Sequence, residues 1–238
     1  MRTPMRTLGL LGGMSWESTA VYYRRINELV RERLGGLHSA PLVLWSVDFA
    51  AIEALQAAGD WDAAGRELGA CARRLADAGA EGLVLCTNTM HVVAAATERA
   101  SGLPLIHIAD ATGEAVRAAG CARPLLLATR YTMEQDFYLG RLRAGHGLDV
   151  RVPGETDRET VHRAIFDELC VGVVNPDSRA AYLDIIARAR REQGVDGVIF
   201  GCTEVGLLLD AHALDLPAFD TTDLHVRAAV NWLLSDAA

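Results

Sequence analysis

Two short polar segments contain the side chains best suited to chemistry. They read CTNT at 86–89 and GCTE at 201–204, and each follows a short apolar run and precedes a helical pattern. The first turn of a helix offers unpaired backbone N–H groups and the positive end of the helix dipole, which attract a carboxylate and lower the pKa of a thiol. We therefore predict that Cys202 is a reactive thiol, although most lone cysteines are inert apolar side chains.

An internal repeat relates the two segments. Residues 77–89 align with residues 192–204 at an offset of 115, which places Gly82 over Gly197. Two further pairs of segments align in the same order at nearly the same offset, namely 6–15 with 123–132 and 103–110 with 216–223. The common order predicts that the chain arose by duplication of one α/β unit.

The repeat sets Cys202 opposite Thr87, and it sets Gly201 opposite Cys86. Neighbouring residues of a strand point to opposite faces, so Cys86 and Thr87 cannot both face a ligand. We predict that Thr87 faces the ligand and that Cys86 packs behind it. The alternative, in which Cys86 is the catalytic side chain, needs a one-residue bulge and stays open.

The elements that must position these segments are short buried strands alternating with longer helices. Apolar runs of four to six residues, bounded by Gly, Pro or polar residues, occur at 7–11, 42–47, 82–86, 103–108, 124–128, 148–152, 197–200 and 216–219. Helical patterns cover 17–33, with Ser15 as its N-cap, and also 60–78, 158–170 and 178–193. Such alternation is typical of an α/β protein with parallel sheets.

The predicted architecture is two pseudo-symmetric α/β/α lobes, each with a mostly parallel sheet of about four strands. We expect an N-terminal lobe over 1–109, joined by a C-terminal helix at 223–238, and a C-terminal lobe over 110–222. Ligands of open parallel sheets lie beyond the carboxyl ends of the strands, so the active site is expected between the lobes.

Composition excludes several classes of function. All 23 basic residues are arginine, which excludes a lysine Schiff base with pyridoxal phosphate and a Walker A loop. The net charge of −8 argues against a nucleic-acid or membrane partner. The five cysteines form no CxxC pair, and we expect no leader segment, metal or cofactor and a reduced, cytoplasmic location. His91 and His107 are interpreted as structural residues.

Eight segments together resemble the aspartate/glutamate racemase family, and within it the broad-specificity amino-acid racemases, some of which prefer L-aspartate and L-glutamate. They are GLLGGMSWEST (9–19), LGGLHSA (34–40), SVDF (46–49), VLCTNTMH (84–91), LIHIADATG (105–113), ATRYTMEQDFY (128–138), NP–S–AAY (175–182) and IFGCTE (199–204). The resemblance implies a homodimer and a pyridoxal-independent site that binds a small amino acid.

The resemblance also implies an acid–base pair. The family has one cysteine in a CNT segment and one in a GCT segment, on opposite sides of the substrate α-carbon. GCT matches Cys202, whereas CNT matches Thr87-Asn88-Thr89, so threonine occupies the first thiol position. A branch with this arrangement acts chiefly on L-substrates. A hydroxyl is a poor base, so we expect the D-to-L direction to be slow.

Further residues are expected to bind the substrate. Hydroxyl and amide side chains would stabilise the developing enolate-like carboxylate, and other side chains would line the pocket; together they are Met14, Gln56, Asn88, Thr89, Thr129, Thr132, Thr203 and Glu204. Gly12 and Gly13 would let the backbone approach a small ligand closely.

The side-chain pocket is less well defined by the sequence. Related racemases of acidic amino acids have a lysine where this chain has Thr160, and the replacement is expected among Arg130, Arg158, His162 and Arg163. A neutral or hydroxylated substrate therefore stays open. Two alternative functions also stay open: a related cysteine-dependent decarboxylase or isomerase of small diacids, and a non-catalytic amino-acid-binding protein.

Overall fold

A computed structural model describes residues 5–202, 205–210 and 214–235 of the chain, without the side chain of Leu207. Thr203 and Glu204, both predicted to bind substrate, lie outside the described residues. The chain divides into two compact units. The first unit comprises the described residues of Met1–His107 and His225–Ala238, and the second unit is Ile108–Leu224.

Each unit contains a three-stranded parallel sheet, which confirms the predicted α/β class. In the first unit the strand order is β2-β1-β3, and in the second it is β4-β5-β6. The strands are β1 (Leu8–Gly12), β2 (Leu42–Ser46), β3 (Gly82–Leu85), β4 (Pro124–Ala128), β5 (Gly197–Gly201) and β6 (Ala218–Asp220). Except for β2 and β6, the strands are buried throughout, as expected when helices cover both faces of a sheet.

The helices alternate with the strands. They are α1 (Trp16–Leu34), α2 (Phe49–Ala58), α3 (Trp61–Asp77), α4 (Ala94–Ser101), α5 (Ile108–Ala118), α6 (Arg130–Glu134), α7 (Asp136–His146), α8 (Glu155–Arg163), α9 (Pro176–Gln193), α10 (Val205–Leu208) and α11 (Thr221–Leu234). Ser15 caps α1 as predicted, since its side chain accepts a hydrogen bond from the Ser18 N–H. Within the described residues, no helix has both the length and the apolar character needed to cross a bilayer.

The predicted helix at 158–170 is less regular than expected. Its first part is α8, which passes into a π-helix at Ala164–Glu168 and a 3₁₀-helix at Leu169–Val171. The helical pattern of apolar residues persists through all three, so the sequence does not reveal the change of hydrogen bonding.

Two predicted strands are reduced to single bridges. Leu105 forms a parallel bridge with Leu83 of β3, and Arg151 forms one with Leu125 of β4. Pro104 has no N–H to donate, and α5 begins at Ile108, so only a few residues are left for pairing. Each sheet therefore has three strands and one bridged segment, close to the four predicted.

The register of the sheets repeats between the units. Leu83 pairs with Leu105 in the first unit, and Val198 pairs with Ala218 in the second. The two pairings reproduce the offsets of the sequence repeat at both positions. At β1 the structure and the sequence alignment differ by one residue. Leu8 pairs with Gly82, and Pro124 pairs with Gly197, so Leu8 and Pro124 are structurally equivalent. The sequence alignment instead places Leu8 over Leu125.

Two apolar clusters cover the two faces of the first sheet. One contains Leu11 and Leu85 and packs against α3. The other contains Leu10 and Cys86 and packs against α1 and α11. Successive residues of β1 and of the β3 segment thus alternate between the two clusters, as the period of a strand requires.

Gly13 follows β1 with a φ of +91°, and a Cβ added there would overlap the Val47 carbonyl oxygen. The Gly12 carbonyl also accepts a hydrogen bond from the Val47 N–H at 3.0 Å. The close backbone approach at this loop is therefore an approach to the protein's own chain.

We predict that Gly13→Ala is far more destabilising than Gly35→Ala. Gly35 also has a positive φ, of +76°, but a Cβ there would meet no atom within 4 Å. The Gly35 change should cost about 1 kcal/mol of unfolding free energy, and the Gly13 change a further ~1–3 kcal/mol from overpacking. Urea unfolding of both variants measures the difference, and equal losses would contradict the steric argument.

Candidate active site

The segment after β3 places two neighbouring residues in different environments. Cys86 is fully buried in the cluster against α1 and α11, and this burial raises the pKa of its thiol well above the usual range. Thr87, the next residue, is only partly buried. Of the two, the threonine is the one that solvent or a ligand can reach.

Hydrogen bonds from both sides fix the backbone of this segment. The Thr87 N–H donates to the Leu85 carbonyl at 2.8 Å, and the His91 N–H donates to the Asn88 carbonyl at 3.1 Å. The Thr87 carbonyl in turn accepts a hydrogen bond from His91 Nδ1 at 2.8 Å. Asn88 and Thr89 have buried side chains, and a 3₁₀-helix at Thr89–Val93 follows.

Met14 and Gln56 are both brought to this segment through Met90. Gln56 is buried, and its Nε2 donates to the Met90 sulfur at 3.0 Å. Met14 and Met90 belong to the same apolar cluster. A thioether sulfur is a weak hydrogen-bond acceptor. The hydrogen bond from Gln56 to Met90 is therefore weak, and an oxygen acceptor would bind the Gln56 amide more strongly.

In the second unit, the predicted residues follow β4 and β5. Thr129 caps α6, and its hydroxyl lies 3.2 Å from that of Thr132, which is also buried. Ala128 and Gly201, the last residues of β4 and β5, are register partners, so the segments after them begin side by side.

Cys202 directly follows β5 and is partly exposed, while its apolar side packs against the core of the second unit. The Val205 N–H donates to the Cys202 carbonyl at 3.1 Å, and α10 begins there. Because α10 is a single turn, the helix dipole that it presents to Cys202 is weak. Burial and the nearby Cys202 and Glu168 raise the pKa of Tyr182, which keeps its hydroxyl protonated.

The arginines predicted to bind a substrate carboxylate are mostly engaged elsewhere. Arg158 donates to Glu134 at 2.9 Å and to the Pro153 carbonyl at 2.9 Å. Arg163 is largely exposed and lies 3.9 Å from Asp167. Arg130, which directly follows Thr129, has a looser ion pair.

Arg130 lies 4.0 Å from Glu159, with about half of each side chain exposed. Its backbone N–H donates to His162 Nδ1 at 3.3 Å, and burial, followed by the charge of Arg130, lowers the pKa of His162. Thr160 is exposed and bonds to the Thr156 carbonyl of its own helix. Arg130 is therefore the candidate cation that directly follows the Thr129 cap, and its guanidinium also lies 5.8 Å from the centroid of the Tyr131 ring.

A buried cluster of three histidines adjoins the segment after β3, and sequence analysis did not anticipate it. The ring of His91 lies 4.5 Å from that of His107 and 5.7 Å from that of His225. His225 Nε2 donates to the Ile106 carbonyl at 2.7 Å, so its Nδ1 accepts from the Tyr22 hydroxyl at 2.8 Å. The spacing of the histidines along the chain carries no signal that links His225 to the other two.

Burial keeps two of these histidines, His91 and His225, neutral. It lowers the pKa of His225 to about 4, and burial together with the two neighbouring rings lowers that of His91 well below its ordinary value. In the described part of the chain, no group of three or more His, Cys, Asp or Glu residues is arranged to hold a metal ion. His91 and His225 therefore act as neutral hydrogen-bonding groups.

We predict that acid destabilises the protein through His225. Between pH 6.5 and about 4 the unfolded chain binds a proton that folded His225 does not, so stability falls as pH falls through this window. The full shift corresponds to about 3 kcal/mol. His225→Gln can donate to Ile106 and accept from Tyr22 but does not titrate, so it should flatten the acid side of the profile. The exposed control His38→Gln should leave the profile unchanged; equal profiles for all three proteins would contradict the prediction.

Comparison with known proteins places this site in context. The model of the Asp/Glu/Hydantoin racemase family matches residues 11–229. The chain is similar to a candidate Asp/Glu racemase from Yersinia pestis, with 54% identity, a TM-score of 0.90 and coverage of 97% of this chain and 100% of that one. An aspartate racemase homologue from Pyrococcus horikoshii OT3 is 32% identical, with a TM-score of 0.82 and coverage of 98% and 100%.

A more distant structure shares the fold. The glutamate racemase of Francisella tularensis, solved with D-glutamate, is 13% identical, with a TM-score of 0.68 and coverage of 97% of this chain and 81% of that one. At this identity the similarity concerns the fold alone.

Proposed function

Because the chain belongs to the Asp/Glu/Hydantoin racemase family, we propose that it racemises an amino acid without a cofactor, with Cys202 and Thr87 as its acid–base pair. The observation that carries the proposal is the matching register of the two sheets. Leu83 and Val198 pair with equivalent neighbours. Thr87 and Cys202 follow them by the same number of residues, so they occupy the same position at the carboxyl ends of equivalent strands.

The environments of the cysteines support the choice of Cys202. Cys71, Cys86 and Cys121 are buried, whereas Cys170 and Cys202 are partly exposed. Cys170 lies in a 3₁₀-helix rather than at a strand end. Burial raises the pKa of the Cys86 thiol, so it is a poor source of the thiolate that proton abstraction requires.

Racemisation needs one proton-transfer group on each face of the α-carbon. In the proposed reaction the Cys202 thiolate removes the α-proton of the L-substrate, and the electron pair of the C–H bond delocalises into the substrate carboxylate. The Thr87 hydroxyl then gives its proton to the opposite face and recovers one from solvent, while the Cys202 thiol releases to solvent the proton that it took from the substrate. Backbone N–H groups and the hydroxyls of Thr89, Thr129 and Thr132 would stabilise the enolate-like charge.

The substrate class follows from the neighbouring proteins and from the arginines. The similar proteins are named for aspartate and glutamate, and Arg130, which directly follows the Thr129 cap, has a loose ion pair with Glu159. We therefore propose an acidic L-amino acid as the first substrate to test, followed by neutral and hydroxylated ones. We also propose that the protein acts as a homodimer, which sedimentation velocity measures.

We predict that Cys202→Ala abolishes racemisation while Cys86→Ala and Cys170→Ala do not. Removing a placed acid–base group should lower kcat/KM by about 10²–10⁴-fold. The other two cysteines are the matched controls, and Cys86→Ala also tests the alternative in which Cys86 is catalytic. Chiral chromatography of the product from a panel of L-amino acids is the measurement. Full activity in the Cys202 variant would eliminate the mechanism.

We predict that the two faces of the substrate exchange protons at different rates. The enantiomers have equal free energy, so kcat/KM for racemisation is equal in both directions. The slow D-to-L direction expected from the sequence can therefore appear only in kcat, with a matching change in KM, and in α-proton exchange. In deuterated water, the L-substrate should take up deuterium with retention faster than the D-substrate does. Thr87→Val should abolish inversion and leave retention on the Cys202 face, whereas Thr87→Ser should preserve both. Equal exchange of both enantiomers would contradict the assignment of the two faces.

The same assays separate the alternative functions. Turnover of a substituted malonate without amino-acid exchange would indicate a decarboxylase. Binding of an amino acid with no α-proton exchange would indicate a binding protein.

A further inference from the structure

We infer that His91 is a positioning residue for Thr87, through the hydrogen bond from its Nδ1–H to the Thr87 carbonyl. The inference rests on the proposed function, because it assigns a role to a group that acts only through the threonine. His91 itself is buried within the first unit and is separated from Thr87 by a single 2.8 Å hydrogen bond.

The bond fixes the direction of one peptide unit. In a planar trans peptide, the C=O and the following N–H point in opposite directions. Since His91 holds the Thr87 carbonyl on the side of the buried cluster, the Asn88 N–H must point away from that cluster. One buried hydrogen bond thus sets the orientation of the peptide that joins the acid–base threonine to the next donor residue.

The tautomer of His91 follows from the same contact. A carbonyl oxygen only accepts hydrogen bonds, so Nδ1 of His91 carries the proton. His107 and His225 are the titratable side chains whose rings pack against it. His225 is itself fixed by the Ile106 carbonyl and the Tyr22 hydroxyl, so the ring behind His91 cannot rotate without losing two hydrogen bonds.

The second unit has no histidine in the equivalent place. At the offsets of the repeat, Gly206 corresponds to His91, and Asp220 corresponds to His107. These two positions are also neighbours, because a Cβ at Gly206 would lie 3.1 Å from Asp220 Oδ2. The two positions are therefore neighbours in both units. Only the first unit, which contains Thr87, has histidines at these positions.

This difference matches the different demands of the two groups. A thiol ionises far more readily than a hydroxyl, and the thiolate is the form that accepts a proton. A hydroxyl is almost never ionised at neutral pH, so it transfers a proton only when its geometry is correct. The additional positioning bond is found on the side that needs it.

The test compares three substitutions at one position. His91→Asn places an amide N–H where Nδ1–H was, His91→Gln places it near the former Nε2, and His91→Leu removes the donor. Each variant is incubated in deuterated water with the L-amino acid that the wild type racemises fastest. The readout is the ratio of deuterated L-substrate, formed by retention on the Cys202 face, to deuterated D-product, which requires the Thr87 face.

A positioning role predicts that this ratio rises about tenfold or more in His91→Leu and His91→Gln and stays within about threefold of the wild type in His91→Asn. A merely structural role would lower retention and inversion together and leave the ratio unchanged, which would overturn the inference. So would an unchanged rate in all three variants.

Wild-type protein provides a second measurement that does not depend on the folding of a variant. Long-range ¹H–¹⁵N correlation spectra distinguish Nδ1–H from Nε2–H histidine, and we expect the Nδ1–H tautomer for His91. Observation of Nε2–H would overturn the inference while leaving the proposed function intact. A wild-type protein that neither racemises nor exchanges any amino acid would overturn both.

Discussion

Parallel strand pairing is the constraint on which the rest of the structure depends. In a parallel sheet all carboxyl ends lie at one edge, so the segments that leave those ends are brought together whatever their sequence separation. In the second unit, Ala128 pairs with Gly201. The residues that follow them, Thr129 and Cys202, therefore leave the sheet side by side. Apart from β2 and β6, the strands are buried throughout, and function is left to the residues that follow them.

The two-residue period of a strand then decides which side chain of a segment is available. Val84 and Cys86 enter the cluster against α1 and α11, whereas Leu83 and Leu85 enter the cluster against α3. A cysteine placed one residue later, at the position of Thr87, would exchange this apolar environment for a partly exposed one. Cys86 is close to the proposed chemistry in sequence, yet its burial makes it a core residue.

Much of this arrangement is predictable from the sequence, because it depends on local patterns that the duplication presents twice. The apolar runs place the strands of both sheets within a few residues, and the repeat aligns Thr87 with Cys202. The sequence overestimates the length of the fourth strand in each sheet. An apolar run does not reveal how many residues a neighbouring proline or helix leaves free for strand pairing. The pairing of Arg158 with Glu134 is equally invisible, because it depends on how α6 and α8 approach each other.

The histidine cluster is the clearest case of what the sequence does not reveal. His91 and His107 each look like isolated residues at strand ends, and His225 comes from a helix at the other end of the first unit's chain. Only the folded unit brings the three rings together, and only then does the Tyr22–His225–Ile106 chain become visible.

The neutral state of His91 and His225 is connected with their position in the fold. A protonated imidazole would donate from both nitrogens, so Nδ1 of His225 would lose the ability to accept from Tyr22. Burial prevents this at neutral pH by penalising the charged form, and the same burial gives His91 a fixed proton to offer the Thr87 carbonyl. Burial of the three imidazoles is therefore linked to an ordered backbone at the end of β3. The proposed role of Thr87 depends on the position of its hydroxyl rather than on a nearby charge.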